Sequence, residues 1–225
     1  MASNVGTLLT VLLDESQKPS KTTQLTRSLV RALGHYRGKR TFFTQKNTSF
    51  AVTAGTAEYQ LPTLGSSTGK IPDFEAMDDI RWSDSAGSRL VKIEKISYSQ
   101  MRDQQYYPAA RANQPRFWTI HHAKLILWPV PATTGDLMQC WYQFDATRNE
   151  SNGAEIDGAT STDTNEWFRT GLDCLRTFAL FDFFQSYVKD SEAALSYGAM
   201  NAKYDSDMDA LNANYEKPAR VARYW

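Results

Sequence analysis

The amino-acid sequence predicts an α+β protein in which a helical bundle carries an inserted antiparallel β-rich domain. Two observations lead to this prediction: apolar residues have helical spacing near both ends of the chain and alternate with polar residues in the middle. The end helices have long apolar stripes, which are buried most simply when the N-terminal helix packs with the two C-terminal helices. We therefore predict a bundle from residues 21–40 and 163–216, a β-rich domain at 41–162, an N-terminal arm at 1–20 and an extended C-terminal tail at 217–225.

The helices are identified by apolar residues that recur every three or four positions. Val5 to Leu13 is apolar but too short to span a bilayer, and we interpret it as a short helix or a docking segment. The first bundle helix is predicted from about Lys21 to Gly38. In the C-terminal pair, Asp163-x-x-Glu166 is a predicted capping box, and Asp190 is predicted to cap the last helix. The apolar stripe of that helix is predicted to contain Tyr197, Met200, Tyr204, Met208, Leu211 and Tyr215.

The middle of the chain has the alternating pattern of half-buried strands. Residues 43–61 predict short antiparallel strands with tight turns at Asn47-Thr48 and Ala54-Gly55. His121-His122-Ala123 is predicted to be a hairpin turn, and residues 145–165, rich in Asn, Gly, Asp, Ser and Thr, an exposed loop. Further strands are predicted at 80–82, 90–93, 117–120, 124–128 and 137–144.

The charges are balanced but segregated. The chain has 25 basic and 25 acidic residues, and a net charge of zero argues against a protein whose main task is to bind DNA phosphates. From Asp190 to Glu216 there are six acidic residues and one basic residue, Lys203. We predict that this acidic helix faces the acid-free segment between Glu15 and Glu58, within one subunit or between subunits. The basic residues of the acid-free segment are Lys18, Lys21, Arg27, Arg31, Arg37, Lys39, Arg40 and Lys46.

The sequence predicts no catalytic, cofactor-binding or metal-binding residues. His121 and His122 are adjacent, and neighbouring residues on a strand point to opposite faces, so one metal ion is not easily held by both. Cys140 and Cys174 are isolated, and we interpret them as buried thiols that act as small apolar side chains. The sequence contains no G-x-S-x-G nucleophile motif and no phosphate-binding loop.

An acidic cluster and a set of aromatic residues in the β-rich block are compatible with a protein that binds or cleaves carbohydrate. An acidic cluster is compatible with a glycosidase pair, although such clusters are more often solvated loops. Aromatic residues suit a carbohydrate-binding face if they are exposed, but we favour core and subunit contacts, where aromatic side chains are common. The acidic residues are Asp73, Glu75, Asp78 and Asp79, and the aromatic residues are Trp82, Tyr106, Tyr107, Trp118, Trp128 and Trp141.

The last nine residues predict a docking tail. Pro218 interrupts the last helix, and no acidic residue follows Glu216. A chain that ends in Tyr-Trp exposes apolar surface to water unless a partner covers it, and Trp, Tyr and Arg are enriched in binding hot spots. The predicted partner-binding residues are Arg220, Val221, Arg223, Tyr224 and Trp225.

Four segments follow one another in a characteristic order. Residues 32–43 (ALGHYRGKRTFF) form a basic-aromatic helix end, and residues 50–62 (FAVTAGTAEYQLP) contain a Phe-x-x-Thr-x-Gly stretch and a Tyr-x-Leu-Pro close. Residues 114–118 (QPRFW) and 125–131 (LILWPVP) suit a hairpin in which the returning strand ends in Pro-x-Pro. From roughly Lys21 to Tyr215, this order resembles the tail-adaptor, or head-to-tail connector, proteins of short-tailed bacteriophages.

The resemblance implies a structural virion protein rather than an enzyme. Such proteins form a ring, usually a dodecamer, that joins the portal protein to the tail nozzle and tail fibre proteins, with DNA passing transiently through a central channel. The chain would then be located at the portal vertex of the virion, and in the host cytoplasm during assembly, with no cofactor and no membrane contact. The alternatives are a carbohydrate-binding or hydrolytic phage tail protein, and a DNA-binding protein that uses the basic stretch Lys18 to Lys46.

Overall fold

The computed structural model describes residues 4–62, 69–85, 90–106 and 114–216. This part of the chain contains helices and antiparallel sheets, which confirms the α+β prediction. The helices are α1 (Val5–Ser16), α2 (Thr22–Tyr36), α3 (Tyr98–Tyr106), α4 (Leu172–Phe183) and α5 (Ser191–Glu216). The strands are β1 (Gln45–Ala51), β2 (Glu58–Gln60), β3 (Phe74–Ser83), β4 (Leu90–Lys92), β5 (Glu94–Lys95), β6 (Phe117–His121), β7 (Lys124–Trp128) and β8 (Leu137–Phe144).

The chain divides into two compact units. The helical unit contains the described residues up to 45, residues 145–150 and the described residues from 155 onward. The β unit contains the described residues of 46–144 together with 151–154. None of the described helices combines the length and the apolar character needed to cross a membrane.

In the helical unit, α4 lies at the centre. It packs against α1, α2 and α5, which confirms that the N-terminal helix packs with the C-terminal pair. The apolar stripe of α2 faces inward, and burial of each leucine contributes about 1.5–3 kcal/mol. A π-helical turn, Phe184–Val188, and Lys189 with a φ of 59° lead the chain from α4 into α5. The buried residues of the α2 stripe are Leu25, Leu29, Ala32, Leu33 and Tyr36.

The predicted capping residues differ in outcome. Asp190 caps α5 as predicted, because its carboxylate accepts the backbone N–H of Ala193 at 3.0 Å. The Asp163-x-x-Glu166 capping box is wrong. Asn165 caps a short 3-10 helix, Glu166–Phe168, and α4 begins only at Leu172.

Residues 145–165 were predicted to be an exposed loop, and this prediction is wrong in part. Asp145, Asn149, Asp163 and Asn165 are buried, although the segment contains no helix or longer strand. Their polar groups are satisfied internally: Asn149 donates to Asp163 at 2.7 Å, and Arg37 lies 3.2 Å from the Asp145 carboxylate. Buried hydrogen bonds of this kind compensate for the lost contact with water.

The β unit consists of two four-stranded sheets. Their strand orders are β1-β8-β3-β4 and β2-β7-β6-β5. The long pair β3 and β8 is antiparallel, and so is the β6–β7 hairpin, whereas the short β5 pairs with β6 in parallel. The predicted alternation of β8 is confirmed, since Met138, Cys140, Tyr142 and Phe144 are all buried.

Local turn chemistry explains which strand connections were predicted correctly. The hairpin turn is confirmed at His122 and Ala123, which have φ values of 48° and 60°. The predicted turn at Asn47-Thr48 is wrong, because both residues lie inside β1. β1 and β2 also belong to different sheets, although the alternating pattern suggested consecutive paired strands.

Candidate interaction site

The five predicted docking residues, Arg220, Val221, Arg223, Tyr224 and Trp225, lie outside the described residues. The structure does define the point from which this tail departs, because α5 extends to Glu216. The interaction surfaces that can be described therefore lie on the helices that precede the tail.

The last turns of α5 are attached to the segment that follows α2. The backbone N–H of Phe42 donates to the side-chain oxygen of Asn212 at 2.7 Å, and the Asn212 amide donates to the carbonyl of Arg40 at 3.3 Å. The ring of Phe42 stacks on the ring of Tyr215 with a centroid distance of 4.8 Å. The root of the tail is thus fixed by the basic-aromatic segment at the end of α2.

A second connection between α2 and α5 is centred on Tyr36. Its hydroxyl lies 3.0 Å from the side-chain oxygen of Asn201 and 3.1 Å from a carboxylate oxygen of Asp205. Burial, followed by the negative charge of Asp205, raises the pKa of Tyr36, which keeps the hydroxyl protonated and able to donate. Lys39 lies 3.2 Å from the same Asp205 oxygen and balances its charge.

The predicted contact between the acid-free segment and the acidic last helix is observed within the subunit at Lys39. Lys39 pairs with Asp205 and lies 3.8 Å from Asp209. Arg31 pairs instead with Asp182 on α4, at 3.2 Å. The cations of the acid-free segment thus have carboxylate partners on more than one helix of the same subunit.

Several charges on α2 and α5 have no ion pair with any residue that the structure describes. On the basic side these are the exposed Lys18 and Lys21, in the turn before α2, and Arg27 on its outer face. On α5 they are the exposed Glu192 and Asp207, with the exposed Lys203 on the same side of the helix. This side of α5 therefore carries charges of both signs.

Apolar side chains are also exposed on α5. Leu195 is 75% exposed, Leu211 is 46% exposed and Met200 is 38% exposed. The predicted stripe is therefore wrong in part: Met208 is buried and Tyr197 stacks on Phe184, but Ala194, Asn201 and Asp205 also lie on the inward side, while Met200, Leu211 and Tyr215 are exposed. A groove of about 410 Å³ lies beside Leu195 between α4 and α5, lined by Phe181, Gln185, Lys189, Asp190, Ser191, Ala194 and Leu195.

In the β unit, the acidic cluster is part of the sheet structure and not a solvated loop. Asp73 immediately precedes β3 and is buried, where it accepts hydrogen bonds from Lys46 at 2.7 Å and from Tyr142 at 2.9 Å. Asp78 accepts from Gln143 at 2.8 Å, and Asp79 pairs with Arg81 at 3.3 Å. Charge compensation and sheet pairing thus account for three of the four carboxylates.

The aromatic residues of the β unit do not form one exposed face. Trp82 and Trp118 are buried, in agreement with the core interpretation, while Trp128 and Trp141 are half-buried. Tyr106, at the end of α3, is exposed, and Tyr107 lies outside the described residues.

The histidines and cysteines have ordinary structural contacts. His121 stacks on Tyr98 with a centroid distance of 3.8 Å, and its ring lies 4.0 Å from that of His122. Within the described ranges, no three His, Cys, Asp or Glu side chains converge on a position suited to a metal ion. Cys140 and Cys174 are free and buried, as predicted.

Comparison with known families shows which family the chain matches. The family model described as SU10 adaptor protein matches residues 3–223, which include both units. No curated protein matches the chain.

Proposed function

Because the chain belongs to the SU10 adaptor protein family, we propose that it forms an adaptor ring that joins the portal to the tail nozzle and fibres of a phage. Family membership makes it a phage tail adaptor and a structural component of the virion, which indicates a structural rather than an enzymatic role. The ring, its twelve-fold symmetry, its portal, nozzle and fibre partners and its central DNA channel are our proposal. The match over residues 3–223 is the observation that carries it.

The charge distribution supports the proposed passage of DNA without tight binding. The net charge is zero, and a protein that grips duplex DNA needs an excess of cations that neutralise phosphates. Arg31 and Lys39 already have carboxylate partners within the chain. We expect duplex affinity to be low, which suits a channel through which DNA moves only transiently during ejection.

Imaging of the parent virion by cryo-electron microscopy tests the proposed ring. We expect twelve copies of the chain in a closed ring at the portal vertex, between the portal and the tail nozzle. Density confined to the tips of fibres would contradict the proposal and would favour the carbohydrate-binding or hydrolytic alternative. A ring of another copy number would change the proposed symmetry but not the adaptor function.

The proposed function also assigns a role to the C-terminal tail. We propose that Arg220, Val221, Arg223, Tyr224 and Trp225 dock on the portal or on the adjoining subunit, with apolar anchors and cations for an acidic groove. Support comes from the attachment of Asn212 and Tyr215 to Phe42, because a fixed root limits where the tail can reach.

Truncation after Glu216 tests the docking tail. We expect the truncated chain to fold normally, because α5 already ends there, but to lose stable binding to the purified portal or to its neighbour. Trp225→Ser should weaken binding, whereas Tyr106→Ser, at an exposed aromatic residue of α3, is the matched control. Undiminished assembly of the truncated chain would show that the tail is not an anchor.

A further inference from the structure

We propose that one side of α5, formed by Lys203, Asp207, Ala210 and Leu211, holds the chain's own tail, residues 217–225, until the tail binds the portal. We call this side the outer face of α5. The inference rests on the docking role proposed above for the tail and adds its regulation, because the docking residues are covered in the free chain. The occupant is a named segment of this chain.

The outer face points away from the rest of the helical unit. Lys203, Asp207 and Leu211 are exposed and follow one another at four-residue intervals, which places them on one side of the helix. Asp205 lies on the opposite side, where it accepts a hydrogen bond from Tyr36 at 3.1 Å. Leu211 is 46% exposed, so the outer face offers apolar surface next to a carboxylate.

The tail carries the side chains that complement this surface. It has cations and no acidic residue, and it also has large apolar side chains. Opposite charges fix the orientation of a contact, and covering an exposed leucine removes apolar area from water. The cations are Lys217, Arg220 and Arg223, and the large apolar residues are Val221, Tyr224 and Trp225.

The reach of the tail matches the outer face. α5 extends to Glu216, and Pro218 cannot continue the helix. A tail that turns back there runs antiparallel to α5. An extended residue spans about 3.3 Å and a helical residue about 1.5 Å, so each tail residue passes about two positions of α5. Val221 then lies level with Leu211, and Arg223 lies level with Asp207.

The cation of the outer face also fits this register. By the same spacing, Trp225 lies level with Lys203. A lysine ammonium above an indole ring gains a cation–π interaction, whereas a cation at this tail position would be repelled. The apolar, basic and aromatic residues of the tail therefore meet Leu211, Asp207 and Lys203 in matching order.

A short tether favours the chain's own tail over the tail of a second copy. The root is fixed, because Phe42 stacks on Tyr215 and its backbone N–H donates to Asn212. Val221 follows Glu216 by five residues. A tether this short gives an effective concentration in the millimolar range, so a second copy at micromolar concentration competes poorly.

Disulfide trapping in the full, free chain tests this contact. Ala210→Cys with Ala222→Cys places one thiol on the outer face and one in the tail, and keeps the side chains that the inference names. Cys140 and Cys174 are buried and do not compete. The intrachain disulfide should form more slowly in about 500 mM than in about 20 mM salt. Adding Arg223→Glu should slow its formation at least about threefold, because the charge contact becomes a repulsion.

Charge exchange gives the sharpest result. Asp207→Arg alone should slow trapping as Arg223→Glu does, and the two substitutions together should restore it. Ala199→Cys with Ala222→Cys is the matched control. Ala199 is about 25 Å from Glu216 along the helix, whereas six extended residues reach at most about 22 Å, so this pair should form little intrachain disulfide.

Three results would overturn the inference: equal trapping rates with and without Arg223→Glu, no recovery in the charge exchange, or a rate that falls on dilution. The last result would assign the outer face to a second copy. Circular dichroism spectra of all variants exclude misfolding as the cause of a change.

The portal is absent from these measurements, so they separate this inference from the proposed function. If trapping does not respond to charge while truncation after Glu216 abolishes portal binding, the outer face does not hold the tail, and the docking role stands. If trapping responds as expected while the truncated chain binds the portal undiminished, the docking role fails and the contact within the chain remains.

Discussion

Replacing Lys46 by methionine should destabilise the β unit by about 3 kcal/mol. The Lys46 ammonium lies 2.7 Å from a carboxylate oxygen of Asp73, whose side chain is only 2% exposed. Tyr142 donates to the other carboxylate oxygen at 2.9 Å. The substitution leaves a buried carboxylate with one neutral donor and no cation, while methionine keeps most of the lysine's apolar contacts.

The expected magnitude follows from the distance and the burial. At 2.7 Å and an effective dielectric constant of about 20, the attraction between the two charges is about 6 kcal/mol. Desolvation of the carboxylate offsets part of this attraction, and removal of one partner from a buried pair costs about 3–5 kcal/mol. We expect the lower end of that range, because the Lys46 side chain is 24% exposed and its charge is partly solvated.

Substitution of the other partner, Asp73→Asn, should destabilise the β unit by less, about 1–2 kcal/mol. Lys46 keeps two favourable interactions when the carboxylate is neutralised. Its partly exposed ammonium can hydrate, and it lies 4.5 Å from the centre of the Phe144 ring, a cation–π contact. Lys46→Met is therefore expected to destabilise the β unit more than Asp73→Asn. For an exposed ion pair, the two single substitutions would have similar effects.

Urea unfolding, combined with hydrogen exchange of peptides from β3 and β8, measures the effect on the β unit. Lys124→Met is the matched control, because Lys124 pairs with Glu58 at 3.0 Å while both side chains are about half exposed. That exposed pair should contribute only about 0.2–1 kcal/mol. If Lys46→Met lowers the free energy of unfolding by no more than Lys124→Met does, the buried ion pair does not stabilise the β unit as expected.

Three further predictions concern glycine packing, thiol reactivity and the pH dependence of stability. Gly171→Ala should destabilise the helical unit by about 1–3 kcal/mol, because the new methyl group would overlap the buried ring of Trp167. Gly34→Ala, in open space on α2, should instead stabilise the unit by about 0.5–1 kcal/mol. Equal urea midpoints for the two variants would contradict this prediction. Burial raises the pKa of the Cys140 thiol to about 12 and that of Cys174 to about 11, so both should resist an aromatic disulfide reagent at pH 8 until urea unfolds the chain. Because the folded state holds these thiol protons more tightly, the free energy of unfolding should fall as pH rises from about 8.5 toward the folded pKa values.

The features that the sequence predicted correctly depend on local periodicity. The helical spacing of apolar residues near both ends predicted that the N-terminal helix packs with the C-terminal pair, and α4 indeed packs against α1, α2 and α5. β8 alternates without interruption, and its bounds, Leu137–Phe144, are as predicted. Helix α2 is two residues shorter at its end than predicted, because Arg37 and Gly38 turn the chain away.

Features that depend on distant partners were not predicted. Lys46 and Asp73 are 27 positions apart, and only the fold brings them together, so the acidic cluster resembled a solvated loop. Helix α3 is polar and buries a single residue, Met101, which gives almost no apolar periodicity. The buried polar residues of 145–165 were mistaken for an exposed loop, because their composition does not reveal the hydrogen bonds that permit burial.

The prediction of which α5 side chains are buried was wrong in part for a physical reason. An ordinary surface helix buries its apolar side and exposes its polar side. In α5, Asn201 and Asp205 face α2 and α4 through hydrogen bonds, while Leu195 and Leu211 face solvent. Exposed apolar area costs about 25 cal/mol per Å² relative to burial, so the isolated subunit gains little from these side chains. Leu195 and Leu211 would contribute to stability only if a partner covered them. Helical periodicity in the sequence identifies the apolar side chains of α5, but it does not reveal that Asn201 and Asp205 take part of the inward side through hydrogen bonds to Tyr36 and Thr177.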